Sequence, residues 1–457
     1  MTPGTTPPQG LLEGAIAQIR AAWLGKRRHA YNFSSFIVLR SLALGTFAIS
    51  VPIFINSTSV REYGIVAIGF SLLGLTTLLE VGVGYVITQS AGRRLARTGK
   101  SYPRLLARVF WIYLGAAVAI AAILATTVLL LTSLSSAQRT LYLWLTALLP
   151  FLAISGTVAA AYQANNDLVY LNSSRFLFEF GKGIALAASG WFLHGSQGVG
   201  PILLLIACGR ACSDLYAVNR RYGYSPALSN ISMTKRALSV VQLGSPVMGC
   251  AALFLSVTIG DKLLIAHYLG TADVASYALA ADISTKAYLL VHATNSSIFA
   301  LILRDHAVKQ DVSRFVSVSL VSVLAVVVLF YLPFGWNAER LISWWINPVM
   351  GRQTATIARV MAASAVVYLV GNAFENALLA MGKARLVFLA YACSVASFFA
   401  SIVIQLPDPT LLSFGASYFL MSAVYATAVF AGFRHSKVRS GKFRPRPVAG
   451  MSTAEIT

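Results

Sequence analysis

Charge is scarce in this chain. Asp, Glu, Lys and Arg together make up 11% of the 457 residues, and only 15 are acidic. So little charge excludes an ordinary soluble domain, whose surface needs about a quarter charged residues. Cysteine is also sparse, at four residues. Cys208, Cys212, Cys250 and Cys393 all fall in apolar stretches without His or carboxylates at metal-ligand spacing, so neither disulfides nor a metal site are expected. No phosphate-binding loop, glycine-rich nucleotide fingerprint or Ser/His/Asp arrangement occurs, and the reading is of a non-enzyme without direct use of ATP. The longest stretch assigned to an outer loop, about residues 335–355, offers Glu339, Arg340 and Arg352 but no paired acidic motif.

What the chain has instead is apolar length. Hydrophobic residues make up 57%, and mean hydropathy is +0.70. Apolar stretches of about 20 residues, enough to cross a bilayer, follow one another almost end to end. The pattern predicts spans over 33–55, 63–90, 109–132, 141–162, 176–194, 199–218, 237–259, 315–334, 356–380, 386–405 and 411–433. The stretch 263–303 joins the end of span seven, a turn and span eight. The fold class is thus an all-α polytopic membrane protein of about 12 transmembrane helices.

The excess of 36 Lys and Arg, a formal net charge of +21, follows the helix ends. Sorted by alternate loops, about 26 of the 36 fall on one side, which the positive-inside rule makes cytoplasmic, with both termini. That side carries Lys26, Arg27 and Arg28, the run Arg93 to Arg108, Arg220, Arg221, Lys235, Arg236, the Lys383/Arg385 turn and the tail from Arg434 to Arg446. These residues form no aromatic-laced face, and nucleic acid is not an expected partner. The first 30 residues lack a long apolar core and a small-residue cleavage site, so no removed signal peptide is expected. Leu12, Ile16, Ile19 and Trp23 recur at helical spacing there; a short helix on the membrane surface and an unstructured tail both fit.

An internal repeat organises the spans. Phe54 to Gly64, with Val60, Tyr63 and Gly64, follows the first span; Tyr268 to Ala278, with Val274, Tyr277 and Ala278, follows the seventh, about 214 residues later. Two parallel halves of six helices follow, related by an axis along the membrane normal and enclosing a cavity. The organisation read here is a tail over 1–30, an N-terminal half over 31–218, a basic linker over 219–236, a C-terminal half over 237–433 and a basic tail over 434–457.

Tyr63-Gly64-Ile65-Val66, Leu79 to Gly84, Gly244-Ser245-Pro246, Gly260-Asp261-Lys262-Leu263-Leu264, Leu269-Gly270, Val274 and Tyr277 to Ala280 resemble the polysaccharide-transport flippases of the MOP superfamily, the O-antigen or Wzx type. The resemblance covers essentially the whole chain. It implies a MOP/MATE-like fold, a bacterial inner-membrane location and transfer of lipid-linked oligosaccharide units, on undecaprenyl pyrophosphate, to the periplasmic leaflet for O-antigen, capsule or exopolysaccharide synthesis. A glycan polymerase or chain-length regulator is then an expected partner beside the membrane lipids. A lipid II flippase and a multidrug exporter of the same superfamily share the fold, and a non-transporting scaffold of a glycan-assembly complex is the reading from another class.

Charge inside a span costs about 2.5–3.5 kcal/mol at the centre of an inserted helix, so such groups should face the bundle interior or a wet cavity. Arg40, Lys182, Arg210, Lys286 and Arg359 are balanced there by Glu80, Glu179, Asp214, Asp282 and Glu375. Glu179 with Lys182, Arg210 with Asp214 and Asp282 with Lys286 are spaced to pair within one helix. For an anionic pyrophosphate-sugar cargo the candidate lumen cations are Arg40, Lys262, Lys286 and Arg359, with Arg210 a weaker one. Asp261 either pairs with Lys262 or serves, like Glu80 and Asp282, in coupling to H+ or Na+. No other cofactor is expected. Tyr63 and Tyr277 either stack on sugar rings or pack against the opposite half. Trp111, Trp144, Trp191, Trp344 and Trp345 read as interface anchors, and His267 and His292 as packing residues.

Overall fold

The computed structural model describes residues 34–36, 38–75, 103–132, 134–165, 167–193, 195–224, 235–287, 291 and 312–439. Among these every regular element is helical. In chain order they are α1 (Ser34–Ser57), α2 (Val60–Leu73), α3 (Pro103–Leu130), α4 (Ser136–Gln163), α5 (Leu168–Leu193), α6 (Ser196–Tyr222), α7 (Lys235–Tyr268), α8 (Thr271–Ala287), α9 (Val316–Trp345), α10 (Pro348–Ala380), α11 (Ala384–Gln405) and α12 (Leu411–Arg439). Ten of them are long and apolar enough to cross a membrane. The other two, α2 and α8, stand at equivalent places in the two halves, as the repeat requires. In lipid a helix satisfies all its backbone groups internally, which is why the apolar runs take this form.

Local signals set the boundaries. The Ser59 hydroxyl accepts the Glu62 amide at the start of α2, and Asn347 Oδ1 accepts the Met350 amide ahead of Pro348 at the start of α10. Ser135 and Gln138 form a reciprocal capping box before α4. Gly270, at φ +104°, makes the tight turn from α7 to α8, a conformation that side chains resist. Breaks inside helices fall where the ladder is interrupted: α4 turns at Leu148 ahead of Pro150, α5 ends in a π-helical turn over Ser189–Leu193, and α9 has one over Val327–Tyr331, just before Pro333.

One sequence expectation is met and one is corrected. Span seven runs on past residue 259, as the reading of 263–303 implies, and ends at Tyr268, which puts Asp261 and Lys262 inside a helix. The stretch 335–355 is not an outer loop: α9 runs through Trp345 and α10 begins at Pro348. Polar Asn337, Glu339 and Arg340 lie on the exposed flank of a helix whose other face buries Phe334, Ala338 and Ile342. Span limits drawn from hydropathy stop at polar residues, whereas the helix continues past the hydrocarbon.

The first six helices pack as one half, α3 on α4 and α5 on α6; the last six pack as another, α10 on α12 and α11 on α7 and α12. The halves meet chiefly where α2 crosses α8. Gly64 lies against the first turn of α8 so closely that a Cβ there would sit 1.9 Å from the Thr271 carbonyl oxygen. A second junction lies alongside: Trp345 Nε1 donates to the Ala48 carbonyl, and its ring centroid is 6.4 Å from that of Phe47. Apolar side chains such as Ile123, Leu205, Leu329 and Ile404 point outward, as a lipid-facing surface requires.

Candidate functional site

Between the halves lies a cavity of 340 Å³. Its N-half wall comes from α1, α2 and α5, including Arg40, Tyr63, Phe70, Glu179 and Lys182. The C-half wall comes from α7, α8, α10 and α12, including Phe254, Asp261, Lys262, Asp282, Tyr368 and Tyr418. Among the described residues, six charged side chains therefore converge on one space, although they come from four helices.

Each charge has a structural setting. Lys182 Nζ lies 2.7 Å from Glu179 Oε1, one helical turn back, and 5.4 and 6.0 Å from the centroids of Phe178 and Phe70. Aromatic faces partly replace the water a buried ammonium loses. On the other wall, Lys262 Nζ donates to the Thr258 carbonyl at 2.9 Å and lies 3.6 Å from Asp261 Oδ1. That carboxylate also accepts the Lys262 amide at 2.6 Å. Arg40 places its guanidinium 5.6 Å from the Phe36 ring centroid. The Asp282 carboxylate has no ion pair or hydrogen bond among the described residues, while its backbone carbonyl accepts the Thr285 hydroxyl at 3.2 Å.

The structure thus brings together Arg40, Lys262, Asp261, Asp282 and Tyr63. It places Arg210, Arg359 and Tyr277 elsewhere. Arg210 lies within the N half, where its Nε donates to Ser174 Oγ at 2.9 Å and lies 3.5 Å from Asp214 Oδ2; the Ser174 hydroxyl in turn donates to Asp214 at 2.8 Å. Arg359 is exposed on α10 and donates to the Gly335 carbonyl at 3.0 Å, outside the cavity. Tyr277 is wholly buried and does not line the cavity, so no ring face is open to a sugar. The backbone of Lys286 belongs to the last turn of α8, but its side chain lies outside the described residues, as do Glu80, His292 and the 1–30 stretch.

The Arg210–Asp214 pair has a structural consequence. Both residues are at most 6% exposed, so removing one partner leaves a buried charge uncompensated, at about 3–5 kcal/mol. Asp214→Ala is expected to lower the melting temperature of the detergent-solubilised protein sharply, and an Arg210→Met/Asp214→Leu pair to recover most of the loss. Equal melting of wild type and Asp214→Ala would show that the pair carries no such weight.

Three features escaped sequence reasoning. Lys182, spaced to pair with Glu179, also lines the cavity. Trp345 joins the halves through its indole, whereas its neighbour Trp344 is 86% exposed. In the C half, Glu375 Oε2 accepts Asn372 Nδ2 at 3.0 Å, the Tyr391 hydroxyl at 3.3 Å and the Tyr425 hydroxyl. The Tyr391 and Tyr368 hydroxyls are 2.9 Å apart, which links this buried carboxyl to the cavity wall. Its three partners come from three helices, and only Asn372, one turn back on the same helix, is announced by local spacing.

No protein-family model matches the sequence, and no curated protein matches it. Solved structures do match in fold. An inward-facing multidrug resistance MATE family transporter of the MOP superfamily superposes with a TM-score of 0.67, at 13% identity over 90% of this chain and 98% of that one. The Vibrio cholerae MATE transporter VcmN in its bent form gives 0.64, at 16% identity over 90% and 97%. A Pyrococcus furiosus MOP superfamily transporter, described as having a binding pocket of reverse polarity, gives 0.66, at 11% identity over 89% and 95%. This chain has the fold of the MATE transporters of the MOP superfamily.

Proposed function

We propose that the protein is a flippase. Its cargo is a lipid-linked oligosaccharide unit carried on undecaprenyl diphosphate, moved from the cytoplasmic to the periplasmic leaflet of a bacterial inner membrane. The observation that carries this reading is the cavity between the halves, with Arg40 and Lys182 on one wall and Lys262 on the other. Guanidinium and ammonium groups suit diphosphate oxygens, which take several charged hydrogen bonds at once. A cavity of 340 Å³ is of the size that holds one drug-sized ligand. It takes the diphosphate and the neighbouring sugar, and the rest of the unit extends into the gap between the halves.

The mechanism is alternating access. With the basic loops placed in the cytoplasm, the ends where α2 and α8 begin face the periplasm, and the contacts Gly64–Thr271 and Trp345–Ala48 close that side. Transport requires them to part. In a cysteine-free background, an Ala48→Cys/Trp345→Cys pair joined by a bis-methanethiosulfonate crosslinker, which spans the space the indole filled, is expected to reduce transfer at least tenfold and a reducing agent to restore it; undiminished transfer through the crosslinked protein would sink the rocking mechanism.

Three carboxylates in the same cavity, Glu179, Asp261 and Asp282, favour a second reading, export of amphiphilic cations. One experiment separates the two. Proteoliposomes containing the purified protein are given a fluorescent undecaprenyl-diphosphate oligosaccharide or ethidium. Transfer of the first above empty vesicles supports the flippase, and movement of ethidium alone supports the exporter.

A further inference from the structure

The charges of the cavity are sorted between its walls. Among the described residues the N half contributes Arg40, Lys182 and Glu179, a sum of +1, and the C half contributes Lys262, Asp261 and Asp282, a sum of −1. Two of the carboxylates are engaged at home, Glu179 with Lys182 at 2.7 Å and Asp261 with the amide and ammonium of Lys262. Asp282 has no such partner among the described residues, and it stands on α8 in the wall that also carries Phe254, Tyr368 and Tyr418, with Tyr63 opposite. An ionised carboxylate only accepts hydrogen bonds, so what binds it must bring donors. A diphosphate brings none and is repelled. A sugar brings several hydroxyls, and its apolar ring face suits the aromatic side chains around the carboxylate.

We propose that Asp282 is the specificity-determining residue of the cavity. It accepts hydrogen bonds from the hydroxyl or amino groups of the sugar next to the diphosphate, while Arg40 and Lys182 hold the diphosphate, so that the cargo bridges the two halves in a single orientation. The proposal rests on the flippase reading above. Its physical content is a division of labour: the N half supplies affinity for the charged linkage, and the C half discriminates what is attached to it.

The test is binding of two probes to the purified full chain in detergent, farnesyl diphosphate and farnesyl-diphospho-N-acetylglucosamine, by thermophoresis. Wild type is expected to bind the sugar-bearing probe at least tenfold more tightly. Asp282→Ala should erase that difference while leaving affinity for farnesyl diphosphate unchanged or raised, because a repelling charge is gone. Asp282→Asn, which keeps one accepting oxygen, should fall between, and Arg40→Gln/Lys182→Gln should lose both probes. Melting curves confirm that each variant is folded. Equal binding of the two probes by wild type, or undiminished discrimination by Asp282→Ala, overturns the proposal while the flippase reading stands. Failure of the folded wild type to bind either probe overturns both.

Discussion

Gly64→Ala, the smallest substitution at that position, is expected to lower both the melting temperature and the transfer rate, the latter by tenfold or more. The added Cβ would stand 1.9 Å from the carbonyl oxygen of Thr271, 2.9 Å from its carbonyl carbon and 3.4 Å from the Ala275 nitrogen. These are backbone atoms of α8 and cannot swing aside as a side chain does. Thr271 also follows directly on the Gly270 turn, whose positive φ fixes where α8 starts. Relief must come from separating α2 and α8, the main junction of the halves. Overpacking of a tight core costs about 1–3 kcal/mol, and a backbone contact this short lies at or above the top of that range. Gly115→Ala in α3 is the control, because nothing lies within 4 Å of the Cβ it adds; helix propensity alone should make it neutral or stabilising by up to about 1 kcal/mol. Wild-type melting and transfer by Gly64→Ala would remove this crossing from the mechanism.

Neutralising the N-half cations is expected to have the largest effect on transport without loss of fold. A hydrogen bond to a charged group contributes about 1.5–3 kcal/mol, so losing one at each of Arg40 and Lys182 should slow flipping of the diphosphate-linked cargo by about a hundredfold or more. Proteoliposome transfer by Arg40→Ala/Lys182→Ala measures it. Lys182→Arg should retain most activity, since it keeps the charge that pairs with Glu179, and this separates electrostatics from packing. Ethidium movement should be unchanged or faster in the double variant. A double variant that transfers the oligosaccharide as wild type does would eliminate the cationic wall as its binding surface.

The fold was legible in the sequence because lipid leaves the backbone few options: apolar length, turn glycines and the Tyr63/Tyr277 repeat were enough to outline two halves. Placement of charges was legible only in part. Arg40, Asp261, Lys262 and Asp282 line the cavity, but Arg359 could not be placed by pattern, because polar residues are spread around α10 and no face stands out. Lys182 reads as a charge facing the interior and paired with Glu179, not among the lumen cations, yet a paired ammonium can still line a cavity. Trp344 and Trp345 read alike as helix-end tryptophans; the approach of α1 engages the Trp345 indole while Trp344 stays exposed. The surroundings of Glu375 depend on residues 368, 391 and 425 meeting across helices, and such meetings are set by tertiary packing.

The cancelling charges of the cavity also bear on how voltage acts on the cycle. Three cationic and three acidic side chains line it among the described residues, so under the proposed rocking cycle these groups together shift little net charge through the field when the cavity is empty, and their return is nearly indifferent to membrane potential. An anionic cargo is not. Each negative charge carried out of a cell that is negative inside gains about 2.3 kcal/mol per 100 mV. For a diphosphate cargo the potential alone then biases the loaded step outward and leaves the return step free.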